Sequence, residues 1–407
     1  MTSQPPHHIV IAGGGVAGLE AMLALRDHLA PSEARVTLLS PDDEFVYRAL
    51  STGEPFGRTS ATRYSIGRLT SEHGVTWEKD AIVSADPAHH TIATAQGKDH
   101  AYDSLIVALG AERHAALENV LTFTDQSSVP GFRDLLERLR SGRSHSVAFL
   151  VPRGSVWPFP LYELALMTAE LIRDEALDVK VMLITPASAP LALFGKPAAE
   201  AMTEMLAERS IQVIQGNATR ATAPGRVLIE PDEYVLAADE LVALPQLSGP
   251  WIRGLPHTHD RFIPTDPHGR VEGLDDVYAA GDCTVGPIKQ GGLAAQQADT
   301  VVADIVARLR GHEPPEPAPP VLRGVLLTGT GRSYLRANDF ADPDAVVSGQ
   351  ALWWPPSKIA GRYLAPCLGF TDEREQLELH AVEAGVEVQI SVPPGSEQLH
   401  DLAPEAV

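Results

Sequence analysis

Apolar and polar positions alternate in blocks at the start of the chain. Residues 8–12 form a short apolar run of the kind that a buried parallel strand requires. Residues 19–26 then carry apolar side chains at helical spacing, and residues 35–40 form a second apolar run. This pattern predicts a strand, a helix and a second strand in close succession.

The turn between the first strand and the helix reads GGGVAG, a GxGxxG sequence. We expect Gly13 to permit a tight turn, Gly15 to let the backbone approach a pyrophosphate, and Gly18 to let the helix pack closely on the strand. The helix start at Val16 and Ala17 would offer its amides to the phosphates. Strand, glycine turn, helix and strand together indicate a dinucleotide-binding unit.

The second strand ends without the acidic residue that would hold the ribose hydroxyls in such a unit. Ser40 stands in its place, and Asp42, Asp43 and Glu44 follow. We expect Ser40 to make a single weaker ribose contact. The alternative is that one of the three acids takes over.

Two later segments carry a family resemblance. Residues 102–110 read YDSLIVALG and residues 274–282 read LDDVYAAGD. With the glycine turn, and in this order, they resemble the FAD signatures of the two-dinucleotide-binding-domain flavoproteins, the pyridine nucleotide-disulfide oxidoreductase superfamily, over about residues 7–310. Leu109 stands where that family usually has threonine. The resemblance implies that Asp282 hydrogen-bonds the ribityl chain of FAD.

Further residues are implied as cofactor contacts by the same resemblance. The stretch after Asp282 predicts a helix from Leu293 to Arg310, which in the family points its N-terminus at the flavin and would stabilise negative charge there. Arg48 follows an aromatic segment that in the family runs alongside the isoalloxazine; the alternative is a surface arginine in a turn. The full expected FAD set is Gly13, Gly15, Val16, Ala17, Gly18, Ser40, Arg48, Ala108, Gly110, Gly281, Asp282, Gly292 and Leu293.

A second strand–turn–helix unit is predicted over residues 145–173, but its turn lacks the glycines. One glycine of the triplet remains, Gly154. Pro158 and Pro160 each remove a backbone donor that a phosphate cradle would use, and Trp157 adds bulk. The strand that follows ends without an acidic residue. We therefore predict that this middle unit does not bind NAD(P)H.

The middle unit is similar to that of the sulfide:quinone oxidoreductase and flavocytochrome c sulfide dehydrogenase branch, and the overall plan also resembles type II NADH dehydrogenases. That resemblance places Glu163 at a helix start facing the flavin, where a carboxylate relays protons; the alternative is an acid that complements the helix dipole. Trp157, Tyr162 and Lys289 are expected to flank the substrate pocket, although a loop lysine is often simply solvated.

The chain has two cysteines, Cys283 and Cys367. Sulfide-oxidising members of the branch use a cysteine pair beside the flavin, and none stands in the turn where that branch supplies one. A relay from these two would need their Cα atoms within about 7 Å of each other. We predict two inert buried thiols, which makes sulfide a doubtful substrate.

The net charge of −21 argues against nucleic acid or an anionic membrane surface as a partner. The chain starts without a signal-peptide pattern and contains no run of about 18 apolar residues, so a cytoplasmic location is expected. Trp353 and Trp354 lie near Lys358 and Arg362 and could touch a membrane. Residues 371–407 hold nine acids against one arginine, so we expect the aromatic pair instead to close over the flavin pocket or to pack in a homodimer contact.

These observations predict an α/β fold. It comprises a split FAD-binding Rossmann-like domain (1–115 and 255–312), an inserted second Rossmann-like domain (116–254) and a small β-rich C-terminal region (321–407). We predict an FAD-dependent oxidoreductase, with no metal, that passes electrons between a donor other than NAD(P)H and a quinone or other small acceptor. The alternatives are an NAD(P)H dehydrogenase using a degenerate turn and a flavin-binding partner protein without turnover, whose acidic surface would suit a basic partner.

Overall fold

The computed structural model describes residues 5–154 and 157–369, so the acidic stretch 371–407 lies outside the described residues. Two sheets of five parallel strands organise this part of the chain. In spatial order, the first sheet contains the strands Val277–Ala279, Ser104–Val107, His7–Ala12, Ala34–Leu39 and Thr76–Glu78. Its edge strand Val277–Ala279 returns from far along the chain, which is the predicted split of the FAD-binding unit.

The second sheet repeats the plan of the first. In spatial order, it contains Leu121–Thr122, Glu240–Ala243, Ser146–Leu150, Lys180–Thr185 and Gln212–Gln215. All of its pairs are parallel. Its central strands are almost continuously apolar, because a parallel sheet is covered on both faces and buries every side chain.

Antiparallel strands complete the architecture. Three sheets have three strands each: Ile82–Asp86, Thr91–Thr94 and Asp99–Ala101; Asn217–Ala223, Arg226–Glu230 and Tyr234–Ala237; and Leu322–Leu327, Arg332–Ala337 and Val346–Ser348. Two ribbons pair Glu44–Val46 with Arg63–Ser65 and Glu112–His114 with Gln246–Ser248. The sheet that begins at Leu322 is the predicted β-rich C-terminal region.

Seven α-helices are described, and they are α1 (Val16–His28), α2 (Ile66–Glu72), α3 (Val129–Arg140), α4 (Phe159–Asp174), α5 (Lys196–Glu208), α6 (Gly291–Leu309) and α7 (Leu364–Gly369). Short 3₁₀ segments cover Arg48–Phe56, Pro87–His89, Gln126–Ser128 and Ala192–Phe194. In the part of the chain that the structure describes, none of these helices combines the length and apolar character that crossing a membrane requires.

Three helices position the site. Helix α1 packs along α6, and their apolar faces share one core with the first sheet. Helix α4 is buried on all sides from Leu161 to Glu170, between the second sheet and the C-terminal sheet. Helix α6 begins at Gly291, two residues before the predicted start, and Gly311 follows it with a φ of +69°, as a C′ residue requires.

Candidate active site

The glycine turn has the geometry predicted for it. Gly13 has a φ of +119°, and a Cβ atom there would overlap the carbonyl oxygen of Ala108. A Cβ on Gly18 would overlap the carbonyl oxygen of Gly13, which is the close helix–strand packing expected. Gly15 caps α1 and faces open space. The first amides of α1 precede its first internal hydrogen bond, from Leu19 to Gly15, and so remain available to an anion.

A cavity of about 520 Å³ starts at this turn. It runs past the ends of three strands of the first sheet, past the start of α6, and on to α4 and the C-terminal region. Nine of the expected cofactor residues line it: Gly13, Gly15, Val16, Ala17, Ser40, Ala108, Gly110, Gly281 and Asp282. Arg48 lines it as well, whereas Gly18, Gly292 and Leu293 lie behind its wall.

Two arginines give part of the wall a positive charge. Arg48 Nε lies 3.6 Å and Arg113 Nη1 3.7 Å from the same Asp125 oxygen, so a single carboxylate faces two guanidinium groups. Burial, and then the nearby Arg48, lower the pKa of Arg113. An anion between them would relieve this crowding. Sequence reasoning missed Arg113, although its position just after the predicted strand end at Gly110 was a usable signal.

Asp282 lies at the middle of the cavity, partly exposed to it. Burial raises the pKa of Asp282, and the positive charges of Lys289 and Arg113 oppose that rise. Lys289 is itself buried: its ammonium group donates to the Thr284 carbonyl and lies 4.0 Å from the centre of the Phe262 ring. Lys289 is therefore a buried counter-charge for Asp282 and not a solvated loop lysine.

The structure separates the four candidates for the ribose contact. Asp43 pairs with Lys79 at 2.5 Å, and Glu44 pairs with Arg63 at 3.0 Å. Ser40 is buried at the cavity wall, and Asp42 lines the cavity without an ion pair to any described residue. Ser40, Asp42 and Glu44 all line this end of the cavity, and of these Glu44 is already engaged by Arg63.

The wall also contains an unsatisfied hydroxyl. Ser51 is 2% exposed, lines the cavity, and its Oγ has no hydrogen-bond partner among the described residues. A buried hydroxyl without a partner costs about 1–3 kcal/mol, so a polar ligand atom is expected opposite it. Together with the glycine cradle, the helix amides and the two arginines, this donor set fits a dinucleotide such as FAD.

Glu163 lies at the far end of the cavity, in the first turns of α4, with a relative exposure of 1%. Thr52 Oγ1 donates to one of its oxygens at 2.7 Å, and the amide of Leu327 donates to the other at 2.9 Å. Lys358 Nζ contacts both oxygens, at 2.6 and 2.8 Å. The carboxylate therefore joins the first unit, the middle unit and the C-terminal region in one buried ion pair.

Sequence reasoning assigned no role in the site to Thr52 and considered Lys358 only in connection with a membrane. Neither residue stands in a recognisable motif, and each is far from Glu163 along the chain. The signal that could have found Lys358 was an isolated lysine in a proline-rich, aromatic segment of an acidic chain. An isolated cation in such a setting often neutralises a buried acid.

The chain matches the pyridine nucleotide-disulphide oxidoreductase family over residues 7–137 and 163–298. The chain belongs to this family. It is therefore an enzyme of a flavin oxidoreductase family whose members typically bind FAD. The match omits residues 138–162, which contain the glycine-poor turn.

The chain is also similar to individual proteins of known structure or activity. The sulfide-quinone reductase of Aquifex aeolicus is 25% identical over 257 residues, which are 60% of this chain and 59% of the relative, so the chain spans about three fifths of that relative's length. The solved structure of the sulfide:quinone oxidoreductase of Aquifex aeolicus has a TM-score of 0.76 at 18% identity and covers 93% of this chain and 92% of that one. A ferredoxin reductase from Rhodopseudomonas palustris has a TM-score of 0.60 at 19% identity, with 81% of each chain covered.

The start of α4 differs from the start of α1 in the groups that a second nucleotide would use. Pro160 has no amide hydrogen, and the amides of Leu161 and Tyr162 both donate to the carbonyl of Pro158. The Trp157 ring stacks on Phe159, with centroids 4.4 Å apart and an angle of 16° between the planes. Few donors therefore remain for a phosphate at this helix end.

Two residues expected at the pocket have different outcomes. Trp157 lines the cavity. Tyr162 does not: it is 1% exposed inside the middle unit, where Thr185 and the Leu191 backbone hydrogen-bond its hydroxyl. The helical turn that directs Glu163 toward the cavity directs its neighbour Tyr162 away from it, because adjacent residues lie about 100° apart around a helix.

The aromatic pair of the C-terminal region does not line the cavity, so the first of its two expected roles, closing over the flavin pocket, is wrong, and the homodimer contact stays a prediction. Trp353 donates to the Ser357 carbonyl at 3.1 Å and packs edge-on against Tyr334. Trp354 is 53% exposed. The residues from this segment that reach the cavity are Lys358 and Ile359.

The cysteines are outside the cavity. Cys283 is fully buried in the core of the first sheet, where it donates to the Val107 and Ala280 carbonyls, and burial raises the pKa of its thiol to about 11. This confirms the burial predicted for that thiol. The same prediction is wrong for Cys367, which is exposed in the short helix α7. Neither thiol lines the cavity.

Proposed function

We propose that the chain is an FAD-dependent oxidoreductase that passes electrons between a donor other than NAD(P)H and a quinone or another small acceptor. The observation that carries this proposal is the start of α4. Its amides are missing at Pro160 and engaged at Leu161 and Tyr162, and Trp157 stacks across Phe159 beside them. A pyridine nucleotide would find too few donors for its pyrophosphate at this position.

FAD would be held by the residues along the first part of the cavity. The α1 amides, Arg48 and Arg113 would bind the pyrophosphate, and Asp282 would accept hydrogen bonds from the ribityl hydroxyls. Ser40 and Asp42 would hold the adenosine ribose. When bound, FAD supplies two-electron redox chemistry at its isoalloxazine ring.

Glu163 and Lys358 would handle protons and orient the acceptor. The ammonium group of Lys358 can donate a proton or a hydrogen bond to a carbonyl oxygen of a ligand in the cavity. Glu163 stays in place because Thr52 and the Leu327 amide donate to it. Its carboxylate would stabilise the positive charge of Lys358 between turnovers, once Lys358 has taken up a proton from solvent.

The acceptor is proposed as a quinone for two reasons. The cavity wall around the ion pair is apolar and aromatic, with Trp157, Phe159, Pro160, Val325 and Ile359, which suits a flat ring with carbonyl groups. The similar proteins from Aquifex aeolicus are named for a quinone. A cysteine relay for sulfide is not proposed, because both thiols lie away from the cavity.

Anaerobic stopped-flow mixing tests the donor. The FAD-loaded protein should keep its flavin absorption for minutes in NADH or NADPH. Bleaching within milliseconds to seconds would contradict the proposal and support the alternative of an NAD(P)H dehydrogenase. The photoreduced protein should then recover its absorption when a short-chain ubiquinone is added. Protein that no donor or acceptor affects would instead support a flavin-binding partner without turnover.

A further inference from the structure

The C-terminal region sends one segment across the flavin cavity. We call residues 357–364 the C-terminal strap. Its Lys358 pairs with Glu163, and the amide of Ile359 donates to Tyr47 Oη at 2.9 Å. The side chain of Ile359 lies against Gly291, where an added Cβ would come within 3.0 Å of it. The strap thus supplies one wall of the cavity and the cation of its ion pair.

A buried carboxylate on the opposite side holds the other end of this strap. Glu20 lies on α1, two residues after the last glycine of the GxGxxG turn, and is 0% exposed. One of its oxygens accepts the amide of Tyr363 at 2.8 Å, and the other accepts the amide of Leu364 at 2.7 Å. Gly361 packs so closely that a Cβ there would come within 2.5 Å of the carboxylate.

The proposed cofactor site does not explain why the Glu20 carboxylate is buried. It does not line the cavity, so it touches neither the proposed cofactor nor a substrate. A buried carboxylate is costly unless its oxygens are satisfied, and the strap amides are the hydrogen-bond donors that satisfy it among the described residues. Arg362, which lies between Lys358 and Tyr363 in the strap, places a positive charge beside the Glu20 carboxylate.

We propose that Glu20 is a positioning residue that pins the C-terminal strap and so holds Lys358 against Glu163. Tyr363 lies five positions after Lys358, a span of at most about 18 Å when extended, so release at Tyr363 frees the strap near Lys358. The catalytic part of this statement rests on the proposed function. The anchoring part does not, since it concerns the protein alone.

The variant Glu20→Gln tests the anchor. It keeps the size of the side chain, but its NH₂ group cannot accept a hydrogen bond, so one strap amide loses its partner. Because the Tyr363 amide belongs to the peptide bond after exposed Arg362, opening of the strap is read directly as trypsin cleavage at that bond. We expect cleavage at Arg362, and hydrogen exchange of peptides covering residues 363–364, to accelerate about tenfold or more.

Controls and a second variant keep the test decisive. Glu200→Gln makes the same chemical change on the exposed face of α5 and should leave both rates unchanged. If Glu20→Gln does not fold, Gly361→Ala pushes the strap from its own side and should give the same acceleration. Unchanged cleavage and exchange in the folded variant would overturn the proposal.

The effect on Lys358 is tested by combining variants. Glu20→Gln should slow reoxidation of the photoreduced protein by ubiquinone about tenfold, but should add no further slowing to Lys358→Met. If the two slowing factors multiply in the double variant, Glu20 acts through something other than Lys358, and the positioning role is overturned. If wild-type protein does not react with ubiquinone, the proposed function fails while the cleavage and exchange rates still decide the anchor.

Discussion

Replacing Lys358 by methionine tests whether the buried ion pair stabilises the fold as strongly as its geometry indicates. Lys358 Nζ lies 2.6 and 2.8 Å from the two Glu163 oxygens, and the side chains are 9% and 1% exposed. Methionine keeps most of the apolar length of lysine and removes the charge. Breaking such a pair from one side typically costs about 3–5 kcal/mol, because the remaining charge stays buried without its counter-charge.

The assay is urea unfolding at a fixed excess of FAD, with the contribution of cofactor binding calculated from each variant's own FAD dissociation constant and subtracted. Lys358→Met should lower the free energy of unfolding by about 3–5 kcal/mol with an unchanged slope. The control Lys196→Met removes an exposed pair with Glu200, at 3.6 Å and with side chains 81% and 67% exposed. It should cost no more than about 0.5 kcal/mol.

A double variant separates the pair from its surroundings. Glu163→Gln with Lys358→Met should cost less than the sum of the single changes, since no charge is then left alone. A cost for Lys358→Met no larger than that of the Lys196→Met control would show that the buried ion pair does not stabilise the fold. Single costs that simply add in the double variant would show the same.

Three further predictions concern the cofactor site and the α1–α6 contact. Gly13→Ala should yield colourless protein by absorption, because its Cβ would overlap the Ala108 oxygen; Gly349→Ala, whose Cβ meets open space, should stay yellow. Apoprotein should bind ADP about tenfold more tightly than 2′-deoxy-ADP by calorimetry, and Asp42→Asn should remove that preference; a preference that survives would exclude Asp42 as the ribose ligand. Burial, and then the Glu20 carboxylate, raise the pKa of Asp299 to about 7. The folded state therefore binds this proton more tightly than the unfolded state, so the free energy of unfolding should fall as the pH rises from about 4 to about 7. Asp299→Asn should flatten this fall when the free energy is measured by urea unfolding at several pH values. An unchanged pH dependence in the variant would exclude Asp299 as its source.

The local sequence pattern was enough to predict the elements whose backbone amides would bind the cofactor. The first strand, the glycine turn and α1 fall where residues 8–26 predict them, because a buried strand and a helix cradle need apolar runs and small residues at short spacing. The glycine-poor turn before α4 could also be predicted from the sequence, because the missing amide hydrogen of a proline is a property of one residue. These features depend on neighbours along the chain.

Side-chain roles were harder to predict where orientation or distance decides them. Tyr162 and Glu163 are adjacent on α4, yet one enters the core of the middle unit and the other enters the cavity. Cys367 reads like a core thiol in its local sequence, but it is exposed. The side of a helix that faces a given wall is set by the packing of distant elements, which no local window contains.

The amino-acid sequence by itself therefore determined the fold class, the dinucleotide cradle and the loss of the second glycine turn. Tertiary structure alone decided that Lys358 and Thr52 meet at Glu163, that Arg113 faces the cavity with Arg48, and that Glu20 anchors the strap. The physical reason is charge burial. A carboxylate taken out of water must find its partners wherever the folded chain brings them, however far apart they are in sequence.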